Sequence, residues 1–235
     1  MGSFFTLSKS NWGSAWNNKS FRTTIILECL ALILLLFSTV TFYRWLEVQK
    51  EGVILDDVFL RFIPALDVSM PIAILEASVF ILCILRSVTN PNLAITILFA
   101  LALQFSFRLV TIDLTRFLPP PGLVELKDPF GSMAFHSRYI TRDLFYSGHT
   151  SSQFIFYLCA RKKYDRYYML FTTITIGIMV LIQHVHYTID VVSAPFFAFA
   201  CYFISVKALN YFGAYTELGD GNRFGTGSRI SRPTA

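Results

Sequence analysis

The sequence has little charge. Only 15% of its 235 residues are Asp, Glu, Lys or Arg, while 54% are hydrophobic. Soluble domains carry about a quarter charged residues, and a single domain of this length in water could not hide so much apolar surface. The deficit excludes a disordered chain and an ordinary soluble enzyme. Cysteine is scarce and scattered: Cys29, Cys83, Cys159 and Cys201 each lie in an apolar stretch, with no CxxC pair. That spacing argues against a disulfide framework or a zinc site, and the four read as small apolar residues. There is no internal repeat, and no signal-like arrangement precedes the first apolar run.

What the sequence has instead is long apolar segments. A bilayer core needs about 20 apolar residues in a helix, and six stretches qualify or nearly do: Thr23–Tyr43, Met70–Leu85, Asn92–Leu118, Ser147–Cys159, Tyr168–Gln183 and Ile189–Phe212. The expected fold is an all-α polytopic membrane protein with six transmembrane helices over residues 23–212. A cytosolic segment, residues 1–22, precedes them, and a Gly-, Ser- and Arg-rich tail, residues 213–235, is expected to be disordered. Pro71 and Pro91 sit near helix starts, where a missing N–H costs least. Pro119, Pro120 and Pro121 close the third segment.

Orientation follows from Lys and Arg in the short loops. With the N-terminus inside, twelve of the 20 fall on the inner side, including Arg161, Lys162, Lys163 and Arg166, and seven on the outer side; Arg108 lies within a span. Both termini are therefore expected in the cytosol. A nucleic-acid surface would gather its basic residues on one soluble domain; these are split between membrane-flanking sites, so no nucleic-acid partner is expected.

Two stretches carry chemistry, both at outer helix ends. In Arg142-Asp143-Leu144-Phe145-Tyr146-Ser147-Gly148-His149-Thr150, Ser147 is a good N-cap. The helix N-terminus behind it suits a phosphate, with His149 beside it to exchange a proton. In His184-Val185-His186-Tyr187-Thr188-Ile189-Asp190, His186 and Asp190 are four residues apart, so the carboxylate can orient the imidazole and stabilise its cation. The six-span topology puts both stretches at one membrane face.

SGHT followed by HYTID resembles the sphingomyelin synthase branch of the type-2 phosphatidic acid phosphatase (PAP2) superfamily. DLFYSGHT is similar to that branch's third motif and HVHYTIDVV to its fourth; Phe107–Thr111 and Leu118–Gly122 resemble the helix and Pro-Gly exit before them. The phosphatase branch's Lys-x6-Arg-Pro pattern is missing, and Val180 stands where its Arg would precede the second histidine. Thr141 and Arg142 occupy places that are usually Cys-Gly in the synthase branch. The resemblance implies a PAP2-like bundle with an extracytoplasmic or lumenal site that transfers a phospho-head-group from a phospholipid to a lipid alcohol, ceramide or diacylglycerol. It implies His186 as nucleophile, Asp190 as its orienter, His149 as acid and base, and no metal or soluble cofactor. Ser147, Gly148, Arg138, Arg142, Asp143 and Tyr187 are the candidate phosphate- or substrate-binding residues, a cation being required because a pentacoordinate phosphoryl state needs positive charge. A hydrolase with the same residues, and a non-enzymatic lipid-binding or scramblase-like protein, are the competing readings. A CDP-alcohol phosphotransferase is excluded, because its carboxylate-rich metal motif is nowhere in the chain. Glu76 and Arg108, charged and within spans, are expected to pair with each other or with Asp113.

Overall fold

The computed structural model describes residues 2–49, 51–127 and 141–217. Seven α-helices account for most of them: α1 (Gly2–Asn17), α2 (Lys19–Val48), α3 (Ser69–Thr89), α4 (Pro91–Thr115), α5 (Gly148–Cys159), α6 (Lys163–Ile182) and α7 (Thr188–Tyr211). Among the described residues there is no strand; one isolated bridge joins Val53 to Phe117. The fold is all-α, in keeping with the long apolar segments.

Among the described residues five helices, α2, α3, α4, α6 and α7, are long and apolar enough by themselves to cross a membrane. Of the six expected spans, the fourth is the one that falls below that length. The fourth apolar stretch forms α5, whose 12 residues span only about 18 Å, well short of the roughly 30 Å hydrocarbon core. Its limits are local. Ser147 caps its start, accepting from the Thr150 amide at 3.4 Å, and Ala160 ends it in an extended conformation just before the charged Arg161-Lys162-Lys163 run. The third stretch also ends early: α4 stops at Thr115, where Arg116 takes a left-handed conformation at φ 47°, before the prolines are reached.

The short helix is the centre of the bundle. α5 packs against α3, α4, α6 and α7, and Ile155, Phe156 and Cys159 join Val79, Ala100, Met169, Ala198 and Cys201 in the main apolar cluster. Three cysteines are buried and free and Cys29 is exposed. α2 differs: most of its apolar surface faces outward, with Leu34 and Phe37 each 68% exposed, and only its ends are gripped by the bundle.

The N-terminal segment is helical, which its weak amphipathic pattern does not announce. α1 docks on the end of α3, where Asn11 and Trp12 donate to the Thr89 and Val88 carbonyls at 2.8 and 2.9 Å and so satisfy groups that a helix C-terminus leaves open. Beyond α7, Ala214 is fully buried and the Thr216 amide donates to Asn92 at 3.1 Å. The tail from residue 218 lies outside the described residues.

Candidate active site

The two histidines meet where α5 and α7 begin. The Ser147 amide donates to the Asp190 carbonyl at 3.1 Å, which ties the cap of α5 to the first turn of α7. His149 is the second residue of α5. Its ring centroid lies 6.3 Å from that of His186, the planes inclined at 68°.

The i, i+4 pairing of His186 with Asp190 arises from a helix cap rather than from a shared helix face. α7 starts at Thr188, so His186 precedes it. Asp190, in the third helical position, reaches back to accept from the Tyr187 amide at 2.9 Å; this is the return arm of a capping box. The same oxygen, Oδ2, stands 3.3 Å from His186 Nδ1. His186 is 2% exposed and Asp190 fully buried. The other carboxylate oxygen, Oδ1, has no protein partner.

His149 has a carboxylate of its own. Its Nδ1 lies 2.7 Å from Glu76 Oε1 on α3. An ionised carboxylate only accepts, so in both pairs Nδ1 carries the proton and Nε2 is the nitrogen left for chemistry. Glu76 therefore pairs neither with Arg108 nor with Asp113, correcting that expectation; Asp113 pairs with Arg116 at 3.0 Å.

Arg108 pairs with Asp143. Asp143 also accepts from the Tyr43 hydroxyl of α2. Burial pushes the Asp143 carboxyl up. The Arg108 charge, the Tyr43 hydroxyl and the nearby His186 and His149 outweigh it, and hold the group below the usual carboxylate range. The guanidinium of Arg108 lies directly over the start of α5: a Cβ added to Gly148 would collide with its nitrogen. Glycine lets the guanidinium approach this closely, and Arg108, expected to pair with Glu76 or Asp113, is instead paired with Asp143 as the cation adjoining the helix N-terminus.

The remaining candidates separate. Arg142 is not in that cluster. Its guanidinium is buried and donates to the Leu46 and Gln49 carbonyls at 2.8 and 2.6 Å and to the Glu51 carbonyl, closing the end of α2. Tyr187 is fully buried as the N-cap of α7. Its hydroxyl donates to the Leu118 carbonyl at 2.9 Å and accepts from the Leu55 amide at 3.2 Å. Arg138 lies outside the described residues. His184 lies between the carbonyls of Pro121 and Ile63, at 3.0 and 2.9 Å, which makes it a brace between loops.

Two facts place this cluster in depth. Glu76 is seven residues from the start of α3 and Arg108 seven from the end of α4, so each sits about 10 Å along its helix from that end. The site is sunk below the helix ends. His186 and Asp190 form its closed floor, and the side chains of Glu76, His149 and Asp143, 22%, 22% and 30% exposed, form its open side.

The comparison that bears on this geometry covers the same stretch. Residues 142–207 match the family model described as PAP2 superfamily C-terminal. The match takes in Asp143, Ser147, Gly148, His149, His186 and Asp190, so this stretch of the chain is similar to the C-terminal part of the PAP2 superfamily. No curated protein gives a significant match to the chain.

Three contributors lie outside the PAP2 segment: Tyr43, Glu76 and Arg108. A fourth, Asp57, works from the loop after α2. Its carboxylate accepts from the Thr188 amide at 2.6 Å and hydroxyl at 3.0 Å, and so holds the start of α7. Although burial raises the Asp57 carboxyl, the bonds from Thr188, Leu60 and Phe59 prevail and lower it. The only sequence signals for these four were ionisable residues inside spans and an Asp beside an apolar loop.

Proposed function

We propose that the chain is an integral-membrane lipid phospho-head-group transferase of sphingomyelin synthase type. It moves phosphocholine or phosphoethanolamine from a phospholipid to a lipid alcohol, ceramide or diacylglycerol. The observation that carries the reading is the pair of adjoining histidines, each with a carboxylate at Nδ1, beside a buried arginine at a helix N-terminus.

In the first half-reaction Nε2 of His186 attacks the donor phosphorus. The P–O bond to the diacylglycerol oxygen breaks, and His149, entering the step as an imidazolium with Glu76 at Nδ1, delivers its Nε2 proton to that oxygen. An N–P bond now holds the head group on His186. In the second half-reaction His149 takes the proton of the acceptor hydroxyl. The acceptor oxygen attacks phosphorus, and the N–P bond breaks with its electron pair returning to His186. Asp190 stabilises the imidazolium character that develops on His186. Arg108 and the first amides of α5 offset the charge on the equatorial oxygens. The active site faces the extracytoplasmic or lumenal side, with both termini in the cytosol.

The recessed position of Glu76 and Arg108 supports acceptors that reside in the bilayer. The test supplies head-group-labelled phosphatidylcholine or phosphatidylethanolamine in vesicles with ceramide, with diacylglycerol, or with neither. Transfer of label to an added lipid alcohol supports the proposal. Label released to water at the same rate in every vesicle overturns it in favour of a hydrolase. No conversion in any vesicle, by folded protein, overturns it in favour of a non-enzymatic lipid-binding protein.

A further inference from the structure

The loop between α2 and α3 turns its polar groups toward the protein and its apolar side chains away from it. Asp57 faces inward. Besides holding Thr188, its carboxylate accepts from the Phe59 and Leu60 amides at 3.0 and 3.2 Å, which shapes the single 3-10 turn Leu60–Phe62. Leu60 is buried. The backbone is engaged on both sides of this turn: the Val53 carbonyl accepts from the Leu118 amide at 2.9 Å, and the Leu66 amide donates to the Ile182 carbonyl at 3.0 Å. The side chains left outside are apolar. Ile54, Val58, Phe59, Phe62 and Leu66 are all exposed, Phe62 to 82%. A loop in water shows the reverse arrangement, and apolar surface of this kind marks a contact site.

What covers these side chains follows from where the loop lies. It joins two helices long and apolar enough to cross a membrane, and the exposed apolar surface runs on from Val48 at the end of α2 to Met70 and Ile74 at the start of α3. Its bridge from Val53 to Phe117 sets it level with the end of α4. At that level the Arg116 guanidinium stands 5.7 Å over the exposed Trp45 ring, and aromatic rings of this kind collect at the membrane–water boundary. We propose that the loop is a membrane-interface anchor: Val58, Phe59 and Phe62 seat in the leaflet on the histidine side, with the exposed Asp56–Arg61 ion pair among the head groups. Interfacial segments bury such residues about 5–10 Å into the boundary between head groups and acyl chains. The anchor reaches the candidate site. The Ile63 carbonyl lies 2.9 Å from the His184 ring and Asp57 holds the Thr188 amide, so the loop grips the chain two residues before His186 and two residues after it. Seating in lipid thereby steadies the backbone that carries His186.

The experiment measures depth and exchange, not turnover, so its outcome is independent of the proposed reaction. Phe59→Cys, Phe62→Cys, Asp56→Cys and, as the lipid-facing control on α2, Phe37→Cys are made singly in full-length Cys29→Ser protein, whose other three cysteines are buried. Each is labelled with a nitroxide and reconstituted in phosphatidylcholine vesicles. Collisions with oxygen, which concentrates in hydrocarbon, are compared with collisions with a water-soluble nickel chelate. The oxygen-to-nickel ratio at positions 59 and 62 should be severalfold above that at 56 and approach that at 37. In F59S/F62S protein in the same vesicles, the Thr188 amide should exchange with deuterium severalfold faster than in wild type. Both replaced side chains are exposed, so melting in detergent should match wild type, which verifies that the variant is folded. The proposal is overturned if labels at 59 and 62 meet nickel as freely as the label at 56. It is overturned in favour of a contact between copies of this chain if labels at 62 broaden one another at high lipid dilution without an oxygen preference. Folded F59S/F62S protein whose Thr188 amide exchanges at the wild-type rate overturns it as well.

Discussion

Gly148→Ala tests the link between α4 and the N-terminal end of α5. The new methyl carbon would occupy the place of an Arg108 guanidinium nitrogen, so the guanidinium must move. That movement breaks its pairing with Asp143, in which Arg108 is 7% exposed and Asp143 30%. Stranding one member of a buried pair costs about 3–5 kcal/mol, and a forced methyl in a packed site about 1–3 kcal/mol. Here the displaced group ends a flexible stem and its partner is partly exposed, so a stability loss of about 2 kcal/mol is expected. Turnover should fall much further, by about 10²–10³, the cost of losing one preorganised charge-stabilising group. The assay is head-group transfer between labelled lipids in vesicles, with thermal unfolding measured on the same preparations. Arg108→Ala should lower turnover comparably, and the double variant should be little worse than either single one, because both changes remove the same interaction. Gly148→Ala protein that keeps half of wild-type turnover, or a double variant whose losses multiply, would refute the reasoning.

Three other perturbations probe the neighbours. Asp190→Asn keeps the cap on α7 nearly isosteric but withdraws the charge that stabilises the His186 imidazolium; turnover should drop about 10²–10³ with lipid binding little changed, and half-retained turnover would show Asp190 to be only a helix-end charge. Glu76→Gln should lower kcat by about 10–10² while leaving KM near wild type, since general acid–base assistance contributes about 10²–10⁴; an effect confined to KM would reassign Glu76 to lipid contact. Asp143, whose carboxyl is held low, contributes stability that is complete above its unfolded value of about 3.9 and is lost as pH falls through its lower folded value. The melting-temperature gap between wild type and Asp143→Asn should therefore be full at pH 7 and shrink on acidification below about pH 4; an equal gap at both pH values would show that the charge is irrelevant.

Local sequence made the histidine stretches and their caps legible. Ser147 as an N-cap is a property of residue type, and His186-x3-Asp190 is a spacing within one segment. That a carboxylate in this stretch reaches the imidazole depends on a capping box, which places it there even though the helix begins two residues after His186. The partners of these residues were not legible, because they come from far along the chain: Glu76 meets His149 across 73 positions and Tyr43 meets Asp143 across 100. Periodicity shows that a charge lies inside a span, not which charge faces it. Arg142 was misleading for the same reason. Its proximity to the motif in sequence implied phosphate, while its side chain turns to the carbonyls at the end of α2. At α5 the expected stretch and the helix coincide, with Ser147 capping one end and a charged loop closing the other, but its 12 residues are fewer than a bilayer crossing needs.

The account turns on a head group held covalently by His186 between donor and acceptor. Protein mixed with donor phospholipid labelled on phosphorus, without acceptor, and quenched with alkali should carry an acid-labile, alkali-stable label. Peptide mass spectrometry should locate it on His186, with no label in His186→Ala. Active protein that carries its label on another residue, or that turns over with none at any quench time, would contradict the account.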